Sequence, residues 1–499
     1  MTYIVVTLLY LAILVAIIVY KSRFIKTQDD FVVAGRGVPV YLLVGTLVCT
    51  WIGSGSLFGS AGLAFRTGFS ELWFSMGAWI GIIVVYFIAS RVRKISQYTL
   101  TDLLEKRYGR PARMLGTITV IIAYTVIAGY QFKGGGRFIN ILTDGAIGPE
   151  MGTLISCIVI VGFTAAAGMV SIVSIDIFNG SIMTFAIILA VPLAISGFGG
   201  WSEVVATIEK ANPSHLSMLE GHDGWWALGI MLPTLILLLS ESSIYQKFSS
   251  AKDAASAKKA VIGMFIGVVL IEGLMCTLAV VGYAIYAEDP RFFLETGEIN
   301  RAMTEEVILR IGYEQVPVFV GSLLFAAGVA IILSTGNTFL MVTSTNVTRD
   351  LYQLFVKKDA TPDQMVKAQR IIIVAVGFLA YLLMTQFETI LEMAFISYTM
   401  IGASLAPVLL ASFFWKRVTK EGGIASIASG MVTVLVISIT NRVMLANDVT
   451  ANLFGMSFPF DEDYIAIPAL AVSISCLIVV SYLTKPSPEE VWKPFFEKD

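Results

Sequence analysis

VGTLVCTWIGSGSLFGSAGLAF, residues 44–65, and LPTLILLLSESSIYQKF, residues 232–248, decide how this chain folds. Each is apolar enough to enter a bilayer, and each is interrupted in the middle. In the first, Gly53, Gly55 and Gly59 sit among Ser54 and Ser56, and each glycine disfavours helix by about 1 kcal/mol relative to alanine. In the second, Pro233 precedes a polar insert, residues 240–243, that includes Glu241. A broken helix at membrane depth is tolerated where it is buried in protein or lines a cavity, because lipid offers no hydrogen-bond partner. The two segments are the second and seventh apolar stretches, five apart. That separation fits an inverted five-plus-five repeat in which they are pseudo-symmetric partners. The same patterns also fit a small-residue packing face and an ordinary helix end, and pattern alone leaves both readings open.

Working outward, the chain of 499 residues is 56% hydrophobic and 14% charged, with a mean hydropathy of +0.80. A soluble surface does not accommodate that composition. A bilayer-crossing helix takes about 20 apolar residues, and about 13 such stretches recur between residues 3 and 483. The first, residues 3–20, lacks the basic start and cleavage site of a signal peptide and is expected to be retained. With the N-terminus outside, the inner segments are 21–38, 90–114, the region near 170, 246–260, 349–370, 416–421 and the tail. They hold 26 of the 34 Lys and Arg residues, against 8 elsewhere. The positive-inside rule therefore supports 13 crossings, N-terminus outside and C-terminus inside. Two longer outer loops, 198–224 and 286–315, follow from the same parity.

Cys49, Cys157, Cys276 and Cys476 fall in apolar stretches without paired spacing and are expected as free thiols. His215 and His222 share an outer loop without nearby cysteines, so a solvated loop is expected rather than a metal site. KGGGR, residues 133–137, follows no strand and is not a phosphate cradle. No nucleotide-binding or triad signature is present, and no extramembrane segment exceeds about 30 residues. Solute transport is the class that remains. A passive channel or a non-transporting membrane sensor is the alternative, and an intramembrane enzyme lacks paired acid and base groups.

LSTGNTFLMVTSTNVTRDLY, residues 333–352, places Ser334, Thr338 and Thr345 on one helical face, widened by Thr335, Asn337, Ser344 and Thr348. Such hydroxyls commonly bond back to a carbonyl four residues earlier. They also suit a hard monovalent cation, which prefers neutral oxygens. Asp176, in MVSIVSIDIFNG, is a carboxylate inside an apolar slab, a placement costing roughly 2.5–3.5 kcal/mol on insertion scales. It asks for a partner, unless it caps a helix start about 10 Å into the span.

Several separated motifs then agree with one family. DDFVVAGRGVP (29–39), YTLTDLLEKRYG (98–109), YQKFSSAKDAASAKKA (245–260) and TSTNVTRDLY (343–352) resemble, in order and spacing, those of the sodium:solute symporters. These include glucose, proline, pantothenate, sialate and choline transporters, and the resemblance extends over roughly residues 1–420. It implies an all-α membrane protein of the LeuT type. One extra helix precedes the core (1–37); the core, 38–415, comprises repeats 38–197 and 224–415; two accessory helices (416–484) and a cytoplasmic tail (485–499) follow.

The resemblance implies symport of a small organic solute with Na+, with no organic cofactor. It places a first sodium site at the Cys49, Ile52 and Ile331 carbonyls and the Ser334 and Thr335 hydroxyls. Members with a second sodium use an acid where Asp176 falls, with Ser334, Asn337 and Thr338 as partners. Here family serines become Asn337 and Thr338, and the acid lies in IDIFN, residues 175–179. Trp51 and Ser56 replace the amides of sugar-transporting members, and TWIGSG is similar to the TWVGGG of choline transporters, where the Trp meets a cationic headgroup. Glu241, Gln131, Tyr398 and Thr399 are implied solute-lining positions; Lys133 either meets a carboxylate or snorkels outward. An amine or amino-acid-like solute is expected, in a plasma-membrane protein working as a monomer in the lipid bilayer, with no nucleic-acid partner.

Overall fold

The computed structural model describes residues 2–22, 34–95, 97, 99–447, 449–453 and 456–496. Residues 23–33 of the expected first inner loop, residue 98 of the second motif and residues 497–499 of the tail lie outside the described residues, as do the side chains of 167–171.

The described chain is helical apart from short connections and one ribbon, in which Ala451–Leu453 pairs antiparallel with Met456–Phe458. Eleven candidate spans are long and apolar enough to cross a membrane, and two shorter apolar helices, Thr2–Ile17 and Val40–Trp51, accompany them. The principal helices are α1 (Thr2–Ser22), α2 (Val40–Trp51), α3 (Ala61–Thr67), α4 (Leu72–Tyr86), α5 (Arg110–Leu142) and α6 (Pro149–Gly197). After them come α7 (Gly224–Ser240), α8 (Ser242–Ser250), α9 (Ala254–Tyr286) and α10 (Val318–Asn346). The last four are α11 (Pro362–Met384), α12 (Ile390–Phe414), α13 (Lys420–Ala446) and α14 (Ala466–Leu483). An inner loop was expected near residue 170. Instead α6 is one hydrogen-bonded run carrying two candidate spans, Pro149–Ala166 and Ile172–Gly197. Its sequence there, FTAAAGMV, offers a single glycine as helix breaker.

Burial sorts the helices into centre and periphery. The apolar window of α12 is 89% buried and that of Val318–Val356 is 83%, whereas α11 is only 28% buried. Leu8, Ile13, Ile371, Phe378 and Val436 point outward, as an apolar solvent requires. At the centre, α10 packs on α1, α5 and α6, α7 on α4 and α12, and α2 on α6 and α9.

Both expected interruptions are present, and they are alike. α2 ends at Ile52 (φ −76°, ψ 100°) and resumes through a wide turn, Gly55–Ser60, into α3. α7 ends at Glu241 (φ −67°, ψ 100°) and resumes as α8. One extended residue thus breaks each helix in the same way. Glycine at the first break is demanded by close approach: a β-carbon on Gly53 would stand 2.8 Å from Thr335 Cγ2, and one on Gly55 2.5 Å from Tyr398 Oη.

The outer loops are more ordered than a solvated reading suggests. His222 is exposed, but His215 is buried, with Nδ1 2.6 Å from Glu220 and its ring 4.0 Å from that of Tyr283. Packing against Tyr283, on α9, draws it in. Arg291 reaches both Asp289 (2.6 Å) and Glu314 (2.7 Å). Its hydrogen bonds hold the Asp289 carboxyl below the usual range; for Glu314 burial pushes upward, but the bonds and charge of Arg291 prevail and the carboxyl is again lowered. Cys49, Cys157 and Cys276 are buried free thiols and Cys476 is a partly exposed one.

Candidate functional site

The last carbonyls of a helix have no donor within it, and at the end of α2 two of them meet α10. Thr335 Oγ1 lies 3.2 Å from the Cys49 carbonyl and 3.2 Å from that of Ile52. Ile331 is buried one turn earlier on α10. Ser334 is turned the other way and donates to Asp176 Oδ1 at 2.5 Å. Of the five residues expected at a first sodium site, Thr335 and the two α2 carbonyls therefore converge in contact. Ser334 adjoins them through the chain and ties them to α6.

Asp176, 1% exposed, is no solvated cap. It accepts from Thr46 Oγ1 on α2, and Lys247 Nζ lies 3.5 Å from its Oδ2. Neither Asn337 nor Thr338 is hydrogen-bonded to it: Asn337 Oδ1 accepts from Thr164 at 2.8 Å, and the buried Thr338 hydroxyl has no hydrogen-bond partner among the described residues. A cavity of about 10 Å³ touches Asp176, Asn179, Ser334 and Asn337, close to the least space that holds a water.

Of the positions expected to line the solute, Glu241 and Tyr398 bond to α5 and Gln131 lies on it. Tyr124 Oη donates to Glu241 Oε1 (2.6 Å) and accepts from the Ser242 amide (2.6 Å), bridging the break between α7 and α8. Gln131, seven residues on, accepts from the Ser54 amide at 3.1 Å, in the break after α2. Tyr130 and Tyr398 place their hydroxyls 3.1 Å apart. Five buried polar atoms around these groups have no partner among the described residues: Ser54 Oγ, Gln131 Nε2, Glu241 Oε2, Ser242 Oγ and Thr399 Oγ1. Buried polar groups left unpaired cost roughly 1–3 kcal/mol each; Ser54, Glu241 and Ser242 lie at the two breaks, and Gln131 reaches the first of them. Ser56 lies half-buried in the wide turn. Lys133 donates to the Phe387 carbonyl at 2.5 Å, anchored to the loop before α12.

Two charged residues escape the motif-based expectations. Glu272 on α9 accepts the indole N–H of Trp51 (2.8 Å) and of Trp79 (2.7 Å), fixing both rings. Its signal was a lone carboxylate in VVLIEGLMC, residues 268–276. Lys247 is the other, hidden among lysines read as an inner loop.

Buried carboxylates cross-link the helices at both ends of α5. On the side of the 286–315 loop, buried Glu305 accepts from Arg137 of α5 and from the amides of Ile390 (3.1 Å) and Leu391 (2.9 Å) at the start of α12. At the other end of α5, Asp350 accepts from Arg113 Nε (2.9 Å), Thr101 (2.7 Å) and Thr117 (2.6 Å).

Comparison with known proteins adds to this geometry. The description "Sodium:solute symporter family" matches residues 31–430. The osmoregulated proline transporter OpuE of Bacillus subtilis (strain 168) is 26% identical over 484 residues, covering 93% of this chain and 91% of its own. The sodium/proline symporter of Escherichia coli (strain K12) is 24% identical, with 85% of each chain covered. Among solved structures, a Na+-coupled sialic acid symporter in a substrate-bound outward-open state superposes with a TM-score of 0.77 at 16% identity, covering 98% of this chain and 99% of that one. MhsT in complex with L-phenylalanine gives 0.55 at 14% identity, with 89% and 97% covered. At such identities the likeness is one of fold, and the fold is that of the LeuT-type transporters.

Proposed function

The chain belongs to the sodium:solute symporter family, and from that premise we propose that it couples inward Na+ flow to uptake of an amine or amino-acid-like solute by alternating access. The family is one of secondary transporters; the chain is a multi-pass plasma-membrane protein with Na+ as its co-transported ion. The observation that carries the proposal is the meeting of Thr335 Oγ1 with the Cys49 and Ile52 carbonyls at a helix break. With Ser334 and the Ile331 carbonyl, these form the sodium shell: neutral oxygens that bind a monovalent cation and release it. Na+ there joins α2 to α10 and favours the outward-open state, which solute then completes.

The solute lies between the two breaks. Proline, named for the curated relatives, carries an ammonium and a carboxylate. Glu241 offers a carboxylate oxygen to the first, Gln131 Nε2 and the hydroxyls of Ser54 and Thr399 donate to the second, and Trp51, Ser56 and Tyr398 complete the walls. Lys133, held by Phe387, closes the outer side. The charge distribution supports 13 crossings with the N-terminus outside and the C-terminus inside. The core is 38–415, with repeats 38–197 and 224–415, flanked by 1–37, 416–484 and the tail 485–499. The protein works as a monomer.

The test is uptake of radiolabelled L-proline and a panel of amines into proteoliposomes. An inside-negative potential of 100 mV supports roughly 50-fold accumulation of a neutral solute per Na+. Uptake indifferent to the Na+ gradient for every accepted solute refutes the proposal, and equilibration without accumulation identifies a passive channel.

A further inference from the structure

We propose that the Lys247 ammonium acts as a covalently tethered cation for Asp176, standing in place of a second Na+ and fixing coupling at one Na+ per solute. The inference rests on the Na+-coupled reading above and concerns only how many ions that reading involves.

Lys247 lies on α8 and is 0% exposed. Its ammonium has three protons and three partners from two other helices: the Thr46 carbonyl (2.9 Å) and the Thr50 hydroxyl on α2, and Asp176 Oδ2 (3.5 Å) on α6. Carbonyl, hydroxyl and carboxylate oxygens are the donor types that surround a hard cation; here the cation at their centre is the lysine's own. A buried charge persists when it is paired, and Lys247 and Asp176 satisfy that requirement for each other.

The remaining candidate ligands are committed elsewhere. Both Asp176 oxygens already accept hydroxyl protons, from Ser334 and from Thr46. Asn337 gives its oxygen to Thr164, and Thr338 is absent from the lining of the small cavity at Asp176. A Na+ placed against this carboxylate would meet the ammonium's repulsion across a buried, low-dielectric gap. It would also require two hydroxyls to turn their protons away. At Thr335 no buried ammonium faces the site: the groups there are the Cys49 and Ile52 carbonyls, and only the Thr335 proton, which points at them, has to turn away.

Equilibrium binding of ²²Na+ to the full chain in nanodiscs, without solute, tests the assignment. One Na+ per chain is expected for the wild type, still one for Asp176→Asn, and two for Lys247→Met, with the extra ion lost again when Asp176→Asn is combined with it. A wild-type count of two, a count of one that falls to none in Asp176→Asn, or no rise in a folded Lys247→Met overturns the proposal. If Lys247→Met does not fold, the wild-type and Asp176→Asn counts decide alone. A wild type that binds no Na+ refutes instead the Na+-coupled reading, a distinct result.

Discussion

Replacing Thr335 by valine keeps the side chain's shape and deletes the hydroxyl that stands 3.2 Å from each of the two α2 carbonyls. The residue is 1% exposed, so water does not easily take over the lost contact. Valine removes one oxygen that the ion would share; an interaction on the scale of a hydrogen bond to a charged group, about 1.5–3 kcal/mol, corresponds to a roughly 10- to 150-fold rise in the Na+ concentration for half-saturation. Thr343→Val is the matched control. It is the same substitution on the same helix, equally buried, and its hydroxyl only bonds back to the Phe339 carbonyl at 2.8 Å. Na+ titration followed by thermal shift separates the two, because an ion that binds the folded state stabilises it by mass action. The apparent affinity should fall in Thr335→Val and stay within about twofold in Thr343→Val, while melting without Na+ changes similarly in both. Equal Na+ affinities in the two variants would refute the site and make Thr335 ordinary packing. Ser334→Ala should resemble Thr335→Val, and Ser344→Ala, whose hydroxyl bonds to the Met341 carbonyl at 2.9 Å, should resemble the control.

Glu241→Gln keeps a partner for Tyr124 and removes the charge. For an ammonium-bearing solute the half-saturation concentration should rise roughly 10- to 150-fold, the range of a hydrogen bond to a charged group, with Na+ binding unchanged; an unaltered solute curve excludes Glu241 from recognition. The Arg291 clamp on Asp289 and Glu314 should respond to acid. Both carboxyls are lowered in the folded state, so the stability they contribute is complete above the ordinary carboxylate range and is lost as pH falls through their depressed values. Hydrogen-exchange protection in residues 289–314, taken relative to the intrinsic rate at each pH, should therefore hold at pH 6 and be lost only as pH falls below the ordinary carboxylate range; protection already lost above that range contradicts the clamp.

The fold was legible because its deciding features are local. Glycine at Gly53 and Gly55, and a polar insert around Glu241, weaken helix wherever they occur, and both breaks formed where composition placed them. The proposed sodium shell came from family motifs, and the structure brings Thr335 to the Cys49 and Ile52 carbonyls; the pattern of Ser334 and Thr335 does not by itself distinguish a ligand from a hydroxyl bonding back along its helix. What sequence could not supply was long-range partnership. Lys247 stands near Lys252, Lys258 and Lys259 and reads as one more charge of an inner loop, yet α8 carries it into the protein to meet a residue 71 positions away. His215 resembles a loop residue until the ring of Tyr283 is brought beside it. Asp176 announced that it needed a partner, but not which one.

One helix runs past both breaks and both buried carboxylates that flank them. α5 reaches Asp350 through Arg113 and Thr117, Glu241 through Tyr124, the break after α2 through Gln131, and Glu305 through Arg137. Thr117, Tyr124 and Gln131 are spaced by seven, so they form one row that drifts only about 20° per step along the helix. Between them, Ile118 faces outward. In a saturation screen for growth on the transported solute, α5 should therefore read as a ruler. Intolerant positions should recur every seventh residue, with freely exchangeable apolar ones on the side turned to lipid, and the phase of that pattern marks the depth at which each inactivating allele acts.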